Sequence, residues 1–328
     1  NKQNRGTVIF LHGGFWFRTG REHWSFIAQG ILSEGWSVVI PSYPQAPDVK
    51  IPEITLSISK HLLPIYDKPL IYYPLSVLML AKIRDILIIT KPDDEKLYYK
   101  LLNDGSQLGL NISYAIQSKP RGLAEAFIIG EKFINKDSVC MILGDNIFYG
   151  QGFTDQLSKV CSNKKGATVF SYFVKKPYEF GVVELDQFSN PISIEEKPEI
   201  LKSNLAVTGL YFYDNNVIEI AKSIKPSQRG ELEINSINKV YLNQKKLKVE
   251  KLGRGFVWLD AGTFETFINA SQLIETIENQ QNCKIACLEE IAFYNNWIDV
   301  NDIYNYAITM QSSKYGQYLL NFVKQNTN

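Results

Sequence analysis

The sequence is poor in the residues that mark several large classes of protein. It has three histidines and four cysteines among 328 residues, and the cysteines show neither the spacing of a disulfide framework nor that of a zinc site. No apolar run reaches the 18 residues that a membrane-spanning helix requires, and no basic-then-apolar segment typical of a secretory signal is present. We therefore expect reduced thiols and a cytoplasmic protein.

An excess of charge of either sign is also absent. The 35 Lys and Arg residues nearly balance the 34 Asp and Glu residues, so that the formal net charge is +1. Proteins that bind nucleic acid or anionic membranes typically carry basic patches or runs, and none is present here. Neither nucleic acid nor membrane is expected as a partner. The 45% apolar content predicts a globular chain with a large core.

What the sequence does contain is a long alternation of strand and helix patterns, which predicts the α/β class. In the first 54 residues, strands are predicted at 7–11 and 37–40, on either side of a helix at 21–33. Further along, strands are predicted at 85–90, 113–117, 139–143, 167–174, 181–185, 192–195 and 206–213. The predicted helices lie at 71–81, 95–102, 123–133, 217–223, 231–243 and 264–280.

Two aspartates follow apolar strand patterns. Asp145 lies just beyond the strand at 139–143, and Asp260 follows the apolar run 256–259. Open α/β sheets bind ligands at the carboxyl ends of their strands. Two carboxylates in such places are suited to one Mg²⁺, with substrate phosphates in its remaining positions. The alternative interpretation of each is a turn or cap aspartate.

A second group of polar residues and glycines follows. Glu196 and Lys197 close one strand, and Gly181 and Gly209 lie in neighbouring strand patterns. A carboxylate can accept hydrogen bonds from a pair of sugar hydroxyls, a lysine can hold a phosphate, and glycines let the backbone approach a pyranose ring. The alternative is a solvated charge cluster that ends a strand.

Six segments occur in order between about residue 55 and the C-terminus: LLPIYDKP (62–69), LGDNIFYG (143–150), EEKP (195–198), VTGLYFY (207–213), RGELEI (229–234) and WLDAGT (258–263). Together they resemble the glucose-1-phosphate thymidylyltransferases of the sugar nucleotidyltransferase family. The resemblance implies a GT-A-like α/β domain with a mixed, mostly parallel central sheet flanked by helices. It also implies a homo-oligomer, either a dimer or a tetramer.

The resemblance implies a reaction as well. A phosphate oxygen of glucose 1-phosphate attacks the α-phosphorus of dTTP, and dTDP-glucose and pyrophosphate form, with Mg²⁺ as the cofactor. The attacking phosphate is already ionised near neutral pH. Catalysis therefore rests on positioning and on neutralisation of charge around the α-phosphate.

Residue roles follow from the resemblance position by position. It assigns Asp145 and Asp260 to Mg²⁺ and places three cationic residues around the phosphates: Lys60, Lys197 and Arg229. The substrate-binding set comprises Gln117, Gly122, Asn146, Gly181, Glu196, Val207 and Gly209. Of these, Gln117 and Gly122 match the segment that reads thymine, and a side-chain amide offers a pyrimidine edge both a donor and an acceptor.

The chain departs from this family at one important place. Family members open with a strand that runs into a glycine-rich loop, whose amides cradle the triphosphate and whose arginine stabilises the leaving pyrophosphate. Here no glycine occurs between Gly35 and Gly105. The corresponding stretch, 41–52, contains four prolines, each of which lacks an N–H donor. Lys50, near the position of the missing arginine, does not reproduce its forked geometry.

Residues 1–54 resemble a different family. The run 8–16, which contains the His-Gly-Gly turn 12–14, is similar to the start of an α/β-hydrolase of the arylformamidase or esterase type. Such a turn supplies backbone donors to an oxyanion hole. No Gly-x-Ser-x-Gly elbow accompanies it and no histidine follows His61, so hydrolysis is not expected. We therefore predict a partial α/β-hydrolase-like βαβ segment over 1–54 and a nucleotidyltransferase domain over 55–328.

Two functions remain open from the sequence. One is thymidylyl transfer from dTTP to glucose 1-phosphate, impaired to the extent that the missing loop matters. The other is a catalytically dead chimera that binds sugar nucleotides or forms oligomers. Release of pyrophosphate distinguishes the two.

Overall fold

The computed structural model describes residues 7–9, 37–39 and 60–327. Strands β1 (Thr7–Ile9) and β2 (Ser37–Val39) pair in parallel, with Thr7 opposite Ser37 and Ile9 opposite Val39. Two strands that are joined by a crossover helix pair in parallel. The helix predicted at 21–33 lies outside the described residues. The chain divides into two compact units, Asn1–Lys60 and His61–Asn328.

The second unit alternates strands and helices, as predicted. Its strands are β3 (Pro64–Ile65), β4 (Lys68–Pro69), β5 (Asp85–Thr90), β6 (Asn111–Ile116), β7 (Val139–Ile142), β8 (Asn146–Tyr149), β9 (Ala167–Phe173), β10 (Gly181–Leu185), β11 (Pro191–Glu196), β12 (Leu205–Tyr213), β13 (Leu247–Lys251) and β14 (Val257–Asp260). Its α-helices are α1 (Tyr72–Leu80), α2 (Glu95–Leu102), α3 (Glu125–Ile129), α4 (Glu131–Ile134), α5 (Phe153–Ser162), α6 (Val217–Ser223), α7 (Ile234–Asn243), α8 (Phe264–Gln281), α9 (Leu288–Tyr294), α10 (Val300–Thr309) and α11 (Lys314–Asn326). Short 3-10 helices span Lys60–Leu62, Ser106–Leu108 and Pro177–Glu179.

The sheet is mixed, as predicted, but the prediction that it is mostly parallel is wrong. Five strands lie in the order β11-β10-β12-β9-β13, and β7 also pairs with β12. Within this sheet β9 and β13 are parallel, while the other described pairs are antiparallel. The reason is the length of the connections: β10 and β11 are joined by a short turn, which only antiparallel neighbours permit.

Two further pairs of strands stand beside this sheet. Strands β5 and β6 are parallel and are connected through α2, whereas β8 and β14 are antiparallel. Ile86 and Ile88 of β5 are buried against the core that α1 and α2 line, and Leu87 and Ile89 are half-buried. The parallel pair is therefore covered by helices, as parallel strands in α/β folds are.

Several predicted bounds are confirmed, among them β5, α2, β10 and α6. The predicted helix at 123–133 is instead two short helices that meet at Gly130. Three C-terminal helices (α9, α10 and α11), which the sequence interpretation left unassigned, pack around Leu319 and Ile303. In the part of the chain that the structure describes, no helix combines the length and the apolar character needed to span a bilayer.

A buried group of four charges connects the 62–69 segment to the end of α8. The Lys68 ammonium donates to Glu278 at 2.9 Å and also contacts Asp67, and Lys284 contacts the same two carboxylates. Lys68 and Glu278 are 3% and 4% exposed. Such a group is tolerated in a core because its charges balance and are hydrogen-bonded. The pKa of Asp67 is held below its ordinary value because the two ammonium groups outweigh the effect of burial.

Removal of one charged side chain from this buried group should therefore lower the free energy of unfolding far more than removal of an exposed ion pair. We expect Glu278→Ala to lower the free energy of unfolding by about 3–5 kcal/mol, because it leaves Lys68 and Lys284 partly unpaired in the core. Urea denaturation measures this loss. As the matched control, Glu195→Ala removes an exposed ion pair with Lys202 and should change stability little. Equal effects of the two substitutions would show that the buried group does not stabilise the fold.

Candidate functional site

The pairing of β8 with β14 brings Asp145 and Asp260 together. Asp260 lies opposite Asn146 in the antiparallel register, and the Ala261 amide donates to the Asp145 carbonyl at 2.9 Å. Both aspartates are half-buried. Two residues that are 115 positions apart in sequence thus meet at one edge of the protein, which is the arrangement that a shared cation would need.

Asn146 holds this edge in place. It is 1% exposed, and its Oδ1 accepts hydrogen bonds from the Gly209 amide at 2.9 Å and from Trp258 Nε1 at 2.7 Å. Its Nδ2 donates to Asp145 Oδ1 at 3.0 Å. The side chain therefore ties β8 to β12 and β14 and orients the Asp145 carboxylate.

Tyr211 reports how close the acidic residues lie to one another. Burial raises the pKa of its hydroxyl, and the negative charges of Glu196, Asp145 and Asp260 raise it further. The charges of three carboxylates from three separate segments therefore all act on one tyrosine of β12. This common influence is consistent with the prediction that Asp145, Asp260 and Glu196 serve one site.

Glu196 is positioned by α7. Its Oε2 accepts a hydrogen bond from Asn235 Nδ2 at 2.6 Å, and Asn235 Oδ1 accepts one from Asn238 at 2.9 Å. A Cβ placed on Gly181 would lie 2.1 Å from Asn235 Nδ2. Gly181 is therefore required by close packing: the absence of its side chain gives Asn235 room to reach Glu196.

Two cationic residues lie at this end of the site. Arg229 donates to Glu233 at 2.8 Å, and its guanidinium lies 3.8 Å from Glu196. Lys197 is exposed and has a φ of 44°, a left-handed conformation that side chains other than glycine rarely adopt. Its amide donates to the Phe180 carbonyl at 2.9 Å. Backbone strain of this kind is concentrated at ligand sites.

The middle of β12 forms the floor of the site. Val207 and Gly209 are buried, and Thr208 between them donates to the Phe170 carbonyl at 3.1 Å. A Cβ placed on Gly209 would lie 2.6 Å from Asn146 Oδ1. The close approach of β12 to Asn146 thus depends on a glycine at 209.

The predicted base-reading segment is anchored to the neighbouring motif. Gln117 Nε2 donates to Glu125 Oε2 at 2.7 Å, and Gly122 has a φ of 101°. A Cβ on Gly122 would lie 2.5 Å from the Leu232 carbonyl oxygen. The Leu232 amide donates to the Arg121 carbonyl at 2.7 Å, so that the segments 117–125 and 229–234 are held side by side.

The helical turn Lys60–Leu62 begins at one residue of the predicted set, Lys60, which is half-buried. The next residue, His61, forms a 2.8 Å hydrogen bond with the Tyr98 hydroxyl. Its ring also lies 3.0 Å from the position of a Cβ on Gly144, next to Asp145. The turn therefore lies across the carboxyl ends of β5 and β7.

Sequence reasoning missed the residues that support this site. Asn235, Asn238, Tyr211 and Trp258 lie within or beside the predicted motifs, yet none was assigned a role. The sequence offered only weak evidence for a role of these residues, because asparagines inside a helix and aromatic residues inside a strand usually serve packing. Among the described residues, no group of three or more His, Cys, Asp or Glu side chains could hold a metal ion by itself.

Comparison with known proteins identifies the family of this chain. A family model described as nucleotidyl transferase matches residues 50–277. The chain belongs to the nucleotidyl transferase family. This transferase is 57% identical over 272 residues to the glucose-1-phosphate thymidylyltransferase of Neisseria meningitidis, an alignment that covers 83% of this chain and 94% of that protein. It is 51% identical over 273 residues to the enzyme of that name from Mycobacterium tuberculosis, with the same two coverages.

Solved structures show the same fold. A crystal structure of a Bacillus anthracis protein assigned as a glucose-1-phosphate thymidylyltransferase, in complex with sucrose, is similar with a TM-score of 0.63 and 34% identity. The alignment covers 82% of this transferase and 94% of the Bacillus anthracis chain. A UDP-glucose pyrophosphorylase bound to UDP-glucose matches with a TM-score of 0.61 and 22% identity, over 84% and 100% of the two chains. The second likeness concerns the fold alone.

Substitution of Asn146 tests whether it supports the acidic edge. Asn146→Ala should lower the free energy of unfolding of the transferase by about 2–4 kcal/mol, because two buried donors, Gly209 N–H and Trp258 Nε1–H, lose their acceptor. Urea denaturation measures the change. The exposed Asn301→Ala is the matched control, and an equally small effect of both would contradict the role given to Asn146.

A double-mutant cycle tests the packing of Gly181 against Asn235. Gly181→Ala should displace Asn235 from Glu196 and weaken binding of glucose 1-phosphate by about tenfold, which corresponds to about 1.4 kcal/mol. Calorimetric titration measures the dissociation constant. When Asn235→Ala is already present, the added methyl group meets no amide and should have little further effect. Additive effects would show that the two residues act independently.

Proposed function

We propose that this chain transfers a thymidylyl group from dTTP to glucose 1-phosphate, yielding dTDP-glucose and pyrophosphate. The observation that carries the proposal is the meeting of Asp145 and Asp260, which the pairing of β8 with β14 brings together. The relatives named for this activity align over nearly their whole length, which supports the same assignment.

The chemistry requires little from side chains beyond placement. A phosphate oxygen of glucose 1-phosphate forms a bond to the α-phosphorus of dTTP, and the bond from that phosphorus to the oxygen bridging to the β-phosphate breaks. Pyrophosphate leaves with the electron pair. The nucleophile is already an anion near neutral pH, which explains why the site is built from cations, amides and carboxylates instead of a general base.

We propose that Asp145 and Asp260 hold a Mg²⁺ ion. Their carboxylates fit this ion because Mg²⁺ prefers oxygen donors and usually takes one or two carboxylates together with substrate phosphates and water. When bound, Mg²⁺ neutralises charge on the phosphates. Asn146 supports this use of Asp145, because its Nδ2 holds one carboxylate oxygen at 3.0 Å and fixes the orientation of the group.

At the sugar end, Glu196 is suited to accept hydrogen bonds from hexose hydroxyls, since Asn235 holds only its Oε2. The Val207–Gly209 backbone and Gly181 give a sugar ring close access to the strands. Lys197 and Arg229 lie where the phosphate of glucose 1-phosphate would be attracted, and we assign that contact to them. Val207, Gly209 and Asn146 form the floor beneath the reacting groups.

At the base end, Gln117 and Gly122 are proposed to read thymine. The Gln117 amide already donates to Glu125, which fixes its orientation and leaves its oxygen available to an imide N–H of the base. We assign Lys60 to the triphosphate, because the turn that it begins leads directly to His61 beside Gly144.

A second candidate function follows from one feature of the sequence. No glycine occurs between Gly35 and Gly105, and the stretch where family members place their phosphate loop contains four prolines. This favours a chain that binds sugar nucleotides but turns them over slowly, because the triphosphate would lack the amides of that loop. Calorimetry with dTDP-glucose, run beside the turnover assay, separates the two: binding without pyrophosphate release supports the second candidate.

Three broader assignments complete the proposal. We place the enzyme in the cytoplasm as a homo-oligomer, a dimer or a tetramer, and light scattering coupled to size exclusion measures its mass. Residues 1–54 are proposed to be a hydrolase-type βαβ segment. The parallel pairing of β1 with β2 supports that topology.

Removal of either metal-binding carboxylate should abolish most of the activity. Asp145→Asn and Asp260→Asn are each expected to reduce kcat for pyrophosphate release from dTTP and glucose 1-phosphate by about 100-fold or more, because each loses a charged oxygen donor to the cation. A coupled phosphate assay with Mg²⁺ measures the rate.

Asp155→Asn, an exposed position in the first turn of α5, is the matched control and should leave the rate unchanged. Wild-type activity in both site variants would refute the proposed metal site. Loss of activity in the control as well would show that the assay reports general damage.

A further inference from the structure

The parallel pair β5–β6 and strand β7 are separated by a cavity of about 940 Å³. Its lining includes Asp85, Leu87 and Ile89 on one side and Cys140 and Ile142 on the other. Among the described residues, β5 is paired with β6 and β7 with β12. The second edge of each strand therefore borders the cavity.

The hydrogen-bond register identifies the backbone groups at the β5 edge. Asn111 N–H donates to the Arg84 carbonyl and Gln117 N–H to the Thr90 carbonyl. In a parallel ladder every second residue bonds to a given neighbour, so the even-numbered residues of β5 serve β6. The N–H and C=O groups of Asp85, Leu87 and Ile89 consequently point away from β6, toward the cavity.

The same reasoning applies to β7. Leu143 N–H donates to the Gly209 carbonyl, and Met141 lies opposite Tyr211 in the antiparallel register. Because hydrogen-bonded pairs alternate along an antiparallel ladder, the odd-numbered residues bond to β12. The backbone groups of Cys140 and Ile142 therefore face β5 across the cavity.

The two facing edges are parallel. His61 bonds to Tyr98 in the first turn of α2, which follows the carboxyl end of β5, and its ring also lies against Gly144, which follows the carboxyl end of β7. Both carboxyl ends are thus on the same side. Rows of N–H and C=O groups on both walls of a slot are a template for one more strand.

We propose that this slot binds an extended, uncharged apolar segment of about six residues from another polypeptide, as a parallel strand between β5 and β7. A six-residue strand in a packed sheet occupies about 950 Å³, given a rise of about 3.3 Å, a strand spacing of about 4.8 Å and a layer spacing of about 10 Å. The cavity has nearly this volume, and β5 and β6 are each six residues long.

The walls of the slot determine the chemistry of the strand. Leu78 of α1 lines one face, and Ala126, Phe127 and Gly130 line the other. Because both faces are covered by apolar helices, the strand must be apolar on both faces, as interior parallel strands are.

The carboxyl end of the slot opens at the proposed active site. Gln117 and Gly122, which the proposed function assigns to the site, line the cavity, and so does Gly144, which precedes Asp145. Insofar as the proposed function holds, a segment that continues beyond the inserted strand would emerge beside Asp145, where this chain lacks a glycine-rich loop. The strand binding itself does not depend on that function.

Hydrogen–deuterium exchange with residue resolution tests the proposal on the full chain. The probe is an acetylated, amidated peptide with two lysines followed by Val-Ile-Val-Leu-Ala-Gly. At ten times its dissociation constant, the amides of Leu87, Ile89, Cys140 and Ile142 should exchange about tenfold more slowly. The amides of Ile86 and Ile88, which already bond to β6, should be unaffected.

Two controls separate strand pairing from apolar adhesion. A peptide with proline in place of the central valine lacks a donor and should not protect these amides. In the protein, Leu87→Pro removes an N–H that faces the slot while the β6 ladder remains, a position where strands tolerate proline. Circular dichroism checks its fold, and its affinity for the peptide should fall at least tenfold.

The proposal would be overturned if the peptide showed no saturable binding up to about 1 mM, a dissociation constant that corresponds to a binding free energy of about −4.1 kcal/mol. Equal protection by the proline peptide would do the same. So would protection of these amides by a higher protein concentration alone, because a second copy would then be the occupant. Pyrophosphate release, measured in parallel with and without peptide, tests the proposed function separately from peptide protection.

Discussion

Asn146 imposes the constraint on which the rest of the site depends. Its single Oδ1 serves two donors from strands of different sheets, the Gly209 amide of β12 and the Trp258 indole of β14. With Nδ2 committed to Asp145, the side chain has no freedom left. The small pair β8–β14 is thereby fixed against the large sheet, and Asp260 is carried to the place where Asp145 already lies. The geometry of the acidic edge is thus set by one buried amide.

Much of this arrangement could be predicted from the sequence. Apolar runs that end in a polar residue predicted β7 and β14, and with them the placement of Asp145 and Asp260 at strand ends. The continuous apolar run 86–89 predicted β5 with its observed bounds. Resemblance of short segments to one family supplied the grouping of Glu196, Arg229 and Gln117, which spacing alone could not. Each of these predictions rests on a short stretch of sequence. Such a stretch predicts an element correctly when contacts with distant residues do not alter that element.

Long-range features were harder to predict. The sheet was expected to be mostly parallel, yet strand direction depends on which strands become neighbours, and that choice is not encoded in the periodicity of any one strand. Asn235 was missed because its role requires two close approaches, one to Glu196 and one to Gly181, that only the folded chain brings about. The slot between β5 and β7 separates the parallel pair β5–β6 from the large, mostly antiparallel sheet, and the two do not share a ladder among the described residues.

The indole of Trp258 has a consequence of a different kind. Its N–H bonds to Asn146, one residue from the acidic edge, while its ring contacts Phe180 and Tyr172. The wavelength at which an indole emits light changes with the polarity around the ring. For Trp258, the hydrogen bond to Asn146 is part of that polar environment. Occupation of the proposed site by charged molecules is therefore expected to change the contribution of Trp258 to the emission of the five tryptophans, without an attached dye.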